Sequence, residues 1–348
     1  MSVKPEADVP LLSICIATLN RAAFIGQTLD TIVGQLQPGI ELVIVDGAST
    51  DATEAVVAPY VAADQRVRYI RLVKNSGVDQ DYDHAVQQAR GTYCWLMTDD
   101  DLLKPGAVAR VLSLLDGRRE LIVVNTEVHT VDFAAPISHA LVHAKADREY
   151  ATDEASQLLE DTAHALSFIG CVVVKREFWL SRDRVSYYGS LFVHVGVIFQ
   201  ARTPLTHVIS APLVAIRYGN AMWSARGFEI WMFKWPSLIW SFAGLSDASK
   251  ARICAREPWR QLRKLWLYRG IGGYALAEYR RYLAERPIAV LPKLASRAIA
   301  SVPSWIANVV SSVYCLLVAR HARMNIYDLS RSPHATFVSR AVAKAVGF

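Results

Sequence analysis

Cysteines are few in this sequence and lie far apart. The chain has five in 348 residues, and the first three lie within apolar runs. This pattern is typical of reduced, buried thiols and argues against a disulfide framework or a cysteine-ligated metal site. Residues 1–10 also lack the apolar segment of a secretory signal. We therefore expect a cytoplasmic protein with a short N-terminal tail over residues 1–10.

Charged residues are also scarce, and the positive ones are unevenly distributed. They make up 20% of the chain against 52% hydrophobic residues, which excludes a largely disordered chain. Between Lys250 and Arg297 there are twelve Lys or Arg and three Glu, a local balance of +9 within a total of +6. A basic segment of this kind predicts binding to an anionic surface. It contains no recognisable nucleic-acid-binding module, so we expect no nucleic acid partner.

Short apolar runs alternate with amphipathic segments in the first third of the chain. The segments predict helices near residues 21–36, 51–62 and 80–89, the first with Asn20 as its N-cap. This alternation is typical of an α/β fold with a mostly parallel, Rossmann-like sheet flanked by helices. The predicted strands are Leu11–Ala17, Ile40–Asp46, Val67–Val73 and Thr92–Met97, followed by Glu120–Thr126 and Gly170–Val174.

Polar residues follow three of these strands. Thr18–Asn20 follow the first strand, Asp46 ends the second, and Asp99–Asp101 follow the fourth. Ligands of such sheets bind beyond the carboxyl ends of the strands. We therefore expect one crevice to collect all three groups.

The three consecutive aspartates are the most informative of these groups. Like charges at one strand end repel each other and cost stability unless a cation lies among them. Mg²⁺ or Mn²⁺ would suit, because hard cations take carboxylate oxygens and often bridge to substrate phosphates. The triplet alone is equally compatible with a solvated acidic turn that precedes a helix.

Three ordered motifs carry a resemblance to a known family. They are Ile16-Ala17-Thr18-Leu19-Asn20-Arg21, then Val43-Ile44-Val45-Asp46-Gly47-Ala48-Ser49-Thr50-Asp51, then Gly91-Thr92-Tyr93 leading into Thr98-Asp99-Asp100-Asp101. Together they resemble the GT-A nucleotide-sugar domain of family 2 glycosyltransferases over about residues 10–115. The sequence also resembles, more loosely, the abequosyltransferase-type branch, whose enzymes build lipopolysaccharide O-antigen. This looser similarity extends over residues 75–83, 217–220 and 228–231.

The resemblance implies a division of the chain into two regions. A GT-A domain would span residues 11–224, with a nucleotide-sugar half over about 11–115 and an acceptor half over about 116–224. Residues 225–348 would form a helical, basic, Trp- and Arg-rich region that associates with the membrane.

The resemblance also implies roles for the aspartates. A divalent metal, Mn²⁺ or Mg²⁺, would neutralise the leaving diphosphate as a Lewis acid. Asp100 and Asp101 would hold this metal, and Asp99 would reach the ribose or join the metal ligands. The sequence leaves open whether the essential pair is Asp99 with Asp101 or Asp99 with Asp100.

Further nucleotide-sugar contacts are implied nearby. Thr18, Asn20 and Arg21 would line the nucleotide pocket, and Asp46 would contact the base or the ribose. Position 47 is Gly where a second acidic residue is usual in the family, which leaves uridine and cytidine both open.

Two more candidates lie outside these motifs. Asp79 is the best functional candidate in an acidic group that also contains Asp81 and Asp83, and we interpret Asp81 as a residue that favours the start of a helix. Arg217 would close over the pyrophosphate, or else belong to a surface loop.

The last role that the resemblance implies is that of a general base. No carboxylate lies between Tyr187 and Gly196, where family members often carry an acidic pair. His194 is the tentative base, because it is the one group in that run that titrates near neutral pH. A single histidine in an apolar run is more often a core residue. The stereochemical course, inverting or retaining, stays open with the base.

Residues 298–319 contain no charged residue, and they are as long as a membrane span. Pro303, Asn308 and several serines weaken that interpretation. With Lys293 and Arg297 beside it, the segment suits a helix that lies in the membrane interface, and a core helix pair is equally compatible.

We predict a glycosyltransferase that is peripheral on the inner face of the plasma membrane. It would move a sugar from a nucleoside diphosphate-sugar to a saccharide acceptor, lipid-linked, in O-antigen or other surface polysaccharide synthesis. One alternative is a non-catalytic GT-A-fold membrane or assembly factor. The other is a nucleotidyltransferase, which is disfavoured because the first strand is not followed by a glycine-rich phosphate loop.

Overall fold

The computed structural model describes residues 9–220, 226–318 and 322–348. Most of the predicted tail, residues 1–10, lies outside the described residues. The chain divides into two compact units. The first comprises the chain up to Val128, His139–Arg217 and Phe242–Ile253, and the second comprises His129–Ser138, Tyr218–Ser241 and Cys254–Phe348. Sequence patterns placed one boundary at residue 224 and did not reveal that two short segments belong to the other unit.

The strands of the described chain form a mixed sheet in the first unit, with its parallel part at one end. The strand order is β3-β2-β1-β4-β9-β6-β10-β5, and β8 pairs with β10. Pairing is parallel from β3 to β4 and antiparallel in the pairs β4–β9, β9–β6 and β10–β5. The strands are β1 Leu12–Thr18, β2 Ile40–Asp46, β3 Val67–Arg71, β4 Tyr93–Met97, β5 Leu102–Leu103, β6 Leu121–His129, β7 Pro136–Ser138, β8 Arg148–Tyr150, β9 Val172–Lys175 and β10 Thr206–Arg217.

Helices follow the strands of the first unit and make up most of the second. The α-helices are α1 Ile25–Val33, α2 Thr53–Ala63, α3 Val78–Gln88, α4 Ala107–Leu112, α5 Ala155–Thr162, α6 Arg176–Leu180, α7 Val193–Phe199, α8 Gly227–Glu229, α9 Trp235–Ser241, α10 Asp247–Ile253, α11 Leu262–Ile271, α12 Leu276–Glu278, α13 Val290–Ser301, α14 Ser304–Leu317, α15 Arg323–Arg331 and α16 Phe337–Ala345. Ile230–Lys234 and Tyr279–Leu283 are π-helical, and Ala165–Ser167, Ile169–Cys171, Val185–Tyr187 and Pro258–Arg260 are short 3₁₀ turns.

The core of the first unit fixes the parallel strands. Every residue of β1 and β2 is buried, as the continuous apolar runs predict for strands covered on both faces. Trp95 of β4 is fully buried and donates its indole N–H to the Gly170 carbonyl at 2.9 Å. The carboxyl ends of these strands are therefore held in place by a packed core.

The second unit has an aromatic core. Phe228 packs against Tyr274 with ring centroids 4.8 Å apart, and Phe233 stacks on Tyr282 at 5.0 Å. The Arg286 guanidinium lies 4.9 Å from the Phe233 ring, a cation–π arrangement. The Trp- and Arg-rich composition of this region thus serves partly to build its interior.

None of the described helices is by itself long and apolar enough to cross a bilayer. Helices α13 and α14 reach the required length and hydropathy only as a pair, and the pair is bent by 104°. This pair covers most of the charge-free segment at residues 298–319; residue 319 lies outside the described residues.

Gly91, just before β4, has no space for a side chain. A Cβ at this position would lie 2.7 Å from the Ser13 backbone nitrogen and 2.9 Å from the Leu12 carbonyl carbon. We expect Gly91→Ala to lower the free energy of unfolding by about 1–3 kcal/mol, because the backbone of β1 cannot move away. Urea denaturation measures this change.

Gly244→Ala is the matched control, because a Cβ at that position would meet nothing within 4 Å. Equal stability of the two variants would contradict the close approach of β1 to Gly91.

Candidate active site

The carboxyl ends of β1, β2 and β4 bring the predicted polar groups to one edge of the sheet. Thr18 and Asp46 are register partners at the ends of β1 and β2. Burial raises the pKa of the Asp99 carboxyl, and the nearby Thr18 hydroxyl partly opposes that shift. The single crevice expected from the strand pattern is therefore present in the first unit.

An arginine lies among the three aspartates. Arg21 Nε donates to Asp99 Oδ1 at 3.0 Å, and its Nη2 pairs closely with Asp100 Oδ2. Asp99, Asp100 and Asp101 are 9%, 7% and 2% exposed, so the solvated-turn interpretation is wrong. The cation that the triplet requires is supplied, in this structure, by the chain itself.

A second arginine reaches the same carboxylates from β10. The backbone N–H of Arg217 donates to Asp101 Oδ1 at 2.8 Å, and Arg217 Nε donates to the Asp100 carbonyl at 3.0 Å. Arg217 is buried, which excludes the surface-loop alternative. The guanidinium groups of Arg21 and Arg217 lie 5.1 and 5.2 Å from the centre of the Phe24 ring.

Asn20 is not the helix N-cap that the sequence predicted. Helix α1 begins at Ile25, and Asn20 adopts a left-handed φ of +54°. Its Oδ1 accepts from the Thr50 backbone N–H at 2.7 Å, and its own N–H donates to Ser49 Oγ at 2.8 Å. Asparagine tolerates this backbone region better than most residues. Asn20 therefore ties the turn after β1 to the turn after β2.

Asp46 has no exposed atom for a ligand. It is fully buried, its Oδ1 accepts from the Ser49 N–H at 2.6 Å, and its Oδ2 accepts from the Tyr69 hydroxyl. The expected contact of Asp46 with base or ribose does not agree with this geometry. Asp46 therefore positions the turn after β2 through the backbone of Ser49.

Asp79 and Asp83 hold the segment between α6 and α7. Asp79 accepts from the backbone N–H groups of Leu191 and Val193 at 2.8 and 3.1 Å, at the start of α7. Asp83 accepts from Trp179 Nε1 at 2.8 Å and pairs with Arg184. The geometry gives Asp79 a structural role in place of the predicted ligand contact.

Comparisons with known proteins identify the domain that carries this site. Residues 13–174 match the family model described as glycosyl transferase family 2. This region is a family 2 glycosyltransferase domain. The predicted family, fold and enzyme class are confirmed: the chain contains a glycosyltransferase domain with a GT-A-like fold.

Three relatives illustrate the similarity. The abequosyltransferase RfbV of Salmonella typhimurium is 28% identical over 62% of this chain and 69% of its own. The putative teichuronic acid biosynthesis glycosyltransferase TuaG of Bacillus subtilis is 29% identical over 30% of this chain and 42% of its own. Chondroitin synthase of Escherichia coli is 32% identical over 36% of this chain and 18% of its own. The last two are therefore matched over less than half of their length.

Among solved structures, S. aureus TarS in complex with UDP has a similar fold. It superposes with a TM-score of 0.56 at 15% identity, over 96% of this chain and 90% of that one. The likeness supports the GT-A architecture.

The arginines do not fully neutralise the carboxylates of the glycosyltransferase site. Burial and the charge of Asp100 raise the pKa of Asp99 to about 6, although Arg21 opposes the shift. Burial, with Asp100 next, raises the pKa of Asp101 well above its ordinary value. Asp101 forms no ion pair within the described residues. The chain therefore leaves the ionised form of Asp101 without a compensating charge.

A divalent cation would compensate the charge of ionised Asp101. Within the part of the chain that the structure describes, no three His, Cys, Asp or Glu side chains form a ready metal cage. Mg²⁺-type sites commonly complete their shell with water and substrate phosphates. Asp101, with Asp99 or Asp100, would supply the protein ligands, and the metal would supply charge neutralisation for the leaving diphosphate.

His194 does not fit the role of general base. It is 1% exposed, and its Nε2 lies 2.8 Å from the Leu166 carbonyl oxygen. Burial lowers the pKa of His194 to about 4. The tentative assignment is therefore wrong, and the more common core role of a histidine in an apolar run applies.

Asp81 lies in the first turn of α3, as predicted, and it also contacts the turn after β2. It is 3% exposed, and its carboxylate lies directly over Gly47 at the end of β2. A glycine at position 47, where the family usually has an acid, was the available signal. A glycine there makes room for a carboxylate that arrives from another element.

Removal of Arg21 tests the self-neutralisation of the site. We expect Arg21→Met to lower the free energy of unfolding by roughly 3–5 kcal/mol, because it leaves buried carboxylates without their partner. Arg21→Met combined with Asp100→Asn should recover part of that loss. Urea denaturation at neutral pH without divalent cations measures both.

The pair Arg66–Asp64, which is partly exposed, provides the control. Arg66→Met should change the free energy of unfolding by at most about 1 kcal/mol. A loss at Arg21 no larger than that at Arg66 would contradict the account.

Proposed function

We propose that this glycosyltransferase transfers a sugar from a nucleoside diphosphate-sugar to a saccharide acceptor during bacterial surface polysaccharide synthesis, with divalent metal assistance. The observation that carries the proposal is the buried aspartate triplet between two arginines at the mouth of the parallel sheet. Carboxylates for a cation and guanidinium groups for phosphate lie within one cluster, which is the charge arrangement a leaving diphosphate needs.

The two arginines have distinct relations to the triplet. Arg21 is bound to carboxylates through its side chain, whereas Arg217 contributes a backbone N–H and directs its Nη2 to Gln27 at 2.5 Å. A diphosphate that brings its own cation would offer Arg21 a new anionic partner. We infer that donor binding moves Arg21 from Asp99 and Asp100 toward the phosphates.

The names of the relatives are the basis for the proposed acceptor. RfbV is an abequosyltransferase, TuaG is named for teichuronic acid biosynthesis, and a succinoglycan biosynthesis protein, ExoO, is 32% identical over 37% of this chain and 37% of its own. These names favour a cell-surface polysaccharide. We propose an O-antigen-type, lipid-linked acceptor, because the RfbV match is the longest of the three.

A metal-dependent donor site predicts a specific thermal-shift pattern. We expect nucleoside diphosphate-sugars to raise the melting temperature of the protein more strongly with Mn²⁺ than without it. Asp101→Asn should lose the Mn²⁺-dependent part, because the variant keeps the acceptor for the Arg217 N–H and loses the charge. UDP-, CDP-, GDP- and dTDP-sugars form the panel, with release of the nucleoside diphosphate as a second readout.

Asp153→Asn, an exposed position, is the control variant and should behave as wild type. A shift that is the same with EDTA and with Mn²⁺ would contradict metal assistance. No shift and no turnover with any donor would contradict the donor class.

We further propose that α13 and α14 bind the inner face of the plasma membrane. Helix α14 has its polarity inverted: Asn308, Ser311 and Ser312 are buried, while Trp305 and Leu317 are 60% and 62% exposed. An interior of polar side chains and an apolar exterior suits a surrounding of lipid better than water.

Helix α13 adds apolar and basic side chains to the same surface. Val290, Leu291 and Leu294 are 72%, 79% and 56% exposed, and the basic residues Lys293 and Arg297 lie on the same helix. Anionic headgroups attract such residues by about 1 kcal/mol each before salt screening. The core-pair alternative for these helices is disfavoured by this exposure.

Vesicle co-sedimentation tests this membrane surface. We expect binding to phosphatidylglycerol-containing vesicles that weakens with salt, and a strong loss of binding in the double variant Leu291→Asp, Trp305→Asp. Val73→Asp is the control, because Val73 is fully exposed in the first unit. Unchanged binding of the double variant, or equal loss in the control, would contradict the proposal.

A further inference from the structure

The second unit has a hollow on its surface with a volume of about 270 Å³. Its walls come from the turn between β6 and β7 and from helices α15 and α16, and every residue that lines it belongs to the second unit. None of these residues takes part in the active site described above. Pockets for drug-sized ligands measure about 300–1,000 Å³, so this α15–α16 hollow suits a smaller ligand.

Two arginines line the α15–α16 hollow without a hydrogen-bond acceptor. Arg331 is the last residue of α15, Arg340 lies on α16, and both are exposed. Neither guanidinium donates a hydrogen bond or forms an ion pair within the part of the chain that the structure describes. A guanidinium offers a planar fork of N–H donors that matches a carboxylate or a phosphate. The hollow therefore has two donor groups available to an anion.

A carboxylate lies in the wall of the same hollow and is held by its own turn. Asp132 Oδ1 accepts from Thr130 Oγ1 at 2.6 Å and from the Ala134 backbone N–H at 3.1 Å. The hydrogen bond from Thr130 is the largest cause that keeps the pKa of Asp132 below its ordinary value, and Arg331 contributes less. Asp132 is therefore ionised and fixed in place without an ion pair to either arginine.

The rest of the hollow is apolar and firmly attached. The Val131 backbone N–H donates to the Tyr327 hydroxyl at 3.1 Å, which ties the turn to α15. The Tyr327 ring packs edge-on against Phe348, with centroids 5.6 Å apart. The small side chains that leave the space open are Ala134, Ala135 and Ala343. A preformed, partly apolar wall with a few placed polar groups is typical of sites for small ligands.

We propose that the α15–α16 hollow binds a sugar residue that carries an anionic group, either a carboxylate or a phosphate. The anionic group accepts hydrogen bonds from Arg331 and Arg340, and Asp132 accepts one from a ring hydroxyl. A neutral sugar would leave both arginines without an anionic partner. A small inorganic anion would meet Asp132 as a repelling charge and would leave the alanine wall uncovered.

This hollow is a second carbohydrate site, separate in its residues from the donor site. Its occupant would be a residue of the saccharide chain that the enzyme extends. That identification of the occupant rests on the proposed function, whereas the binding of an anionic sugar does not.

Calorimetric titration of the full chain, without donor or metal, tests the assignment. The probes are tri-galacturonic acid, maltotriose as its neutral counterpart, and inorganic phosphate. We expect the acidic trisaccharide to bind about tenfold or more tightly than either of the other two, because it alone satisfies the arginines, the carboxylate and the apolar wall together.

Two independent variants alter the hollow in different ways. The double variant Arg331→Gln, Arg340→Gln removes the positive charges and should weaken binding of the acidic trisaccharide about tenfold or more. Ala134→Trp, at an exposed position, fills the hollow with both charges kept and should weaken binding as strongly. Arg263→Gln, which removes an exposed charge elsewhere in the second unit, is the control and should match wild type. Circular dichroism verifies that each variant is folded.

Every outcome decides the assignment. Binding of maltotriose as tight as that of the acidic trisaccharide overturns the anionic requirement, and binding of phosphate as tight overturns the sugar. No binding of any probe, unchanged binding in both variants, or an equal loss in Arg263→Gln also overturns it. The titration contains no donor, so these failures leave the proposed function standing. Absence of donor binding in the thermal-shift panel would likewise leave this site standing.

Discussion

The site depends on the partial neutralisation of three adjacent, buried carboxylates by arginines from distant parts of the chain. Arg21 comes from the turn after β1 and Arg217 from the end of β10, and both meet the triplet that follows β4. Buried like charges are tolerated only when the surrounding structure supplies partners. The strands and turns place these arginines beside the triplet, and both guanidinium groups lie against the Phe24 ring.

Much of the parallel half of the fold could be predicted because its signals are local. The four N-terminal strands appear within two residues of their predicted ends, and β1, β2 and β4 are mostly apolar runs in which every residue is buried. The convergence of polar groups at one sheet edge follows from parallel pairing alone. The aspartate triplet was visible for the same reason: it directly follows a strand.

The roles of single side chains were less predictable because they depend on contacts across the sequence. Asparagine is a common helix N-cap, yet the side-chain oxygen of Asn20 accepts a hydrogen bond from the backbone N–H of Thr50, thirty residues away. The Asp46 carboxylate is occupied by Ser49 and Tyr69, and the Asp81 carboxylate lies over Gly47 because that residue has no side chain. His194 faces the core, and residue type does not reveal which way a side chain points.

Because Arg21 already occupies two of the three carboxylates, the fold of this enzyme does not require an inorganic ion to hold its most acidic turn together. Small zinc domains, by contrast, are unfolded without their metal. This turn can thus stay folded when divalent cations are scarce. Any cation that enters must compete with the Arg21 guanidinium for the carboxylates of Asp99 and Asp100.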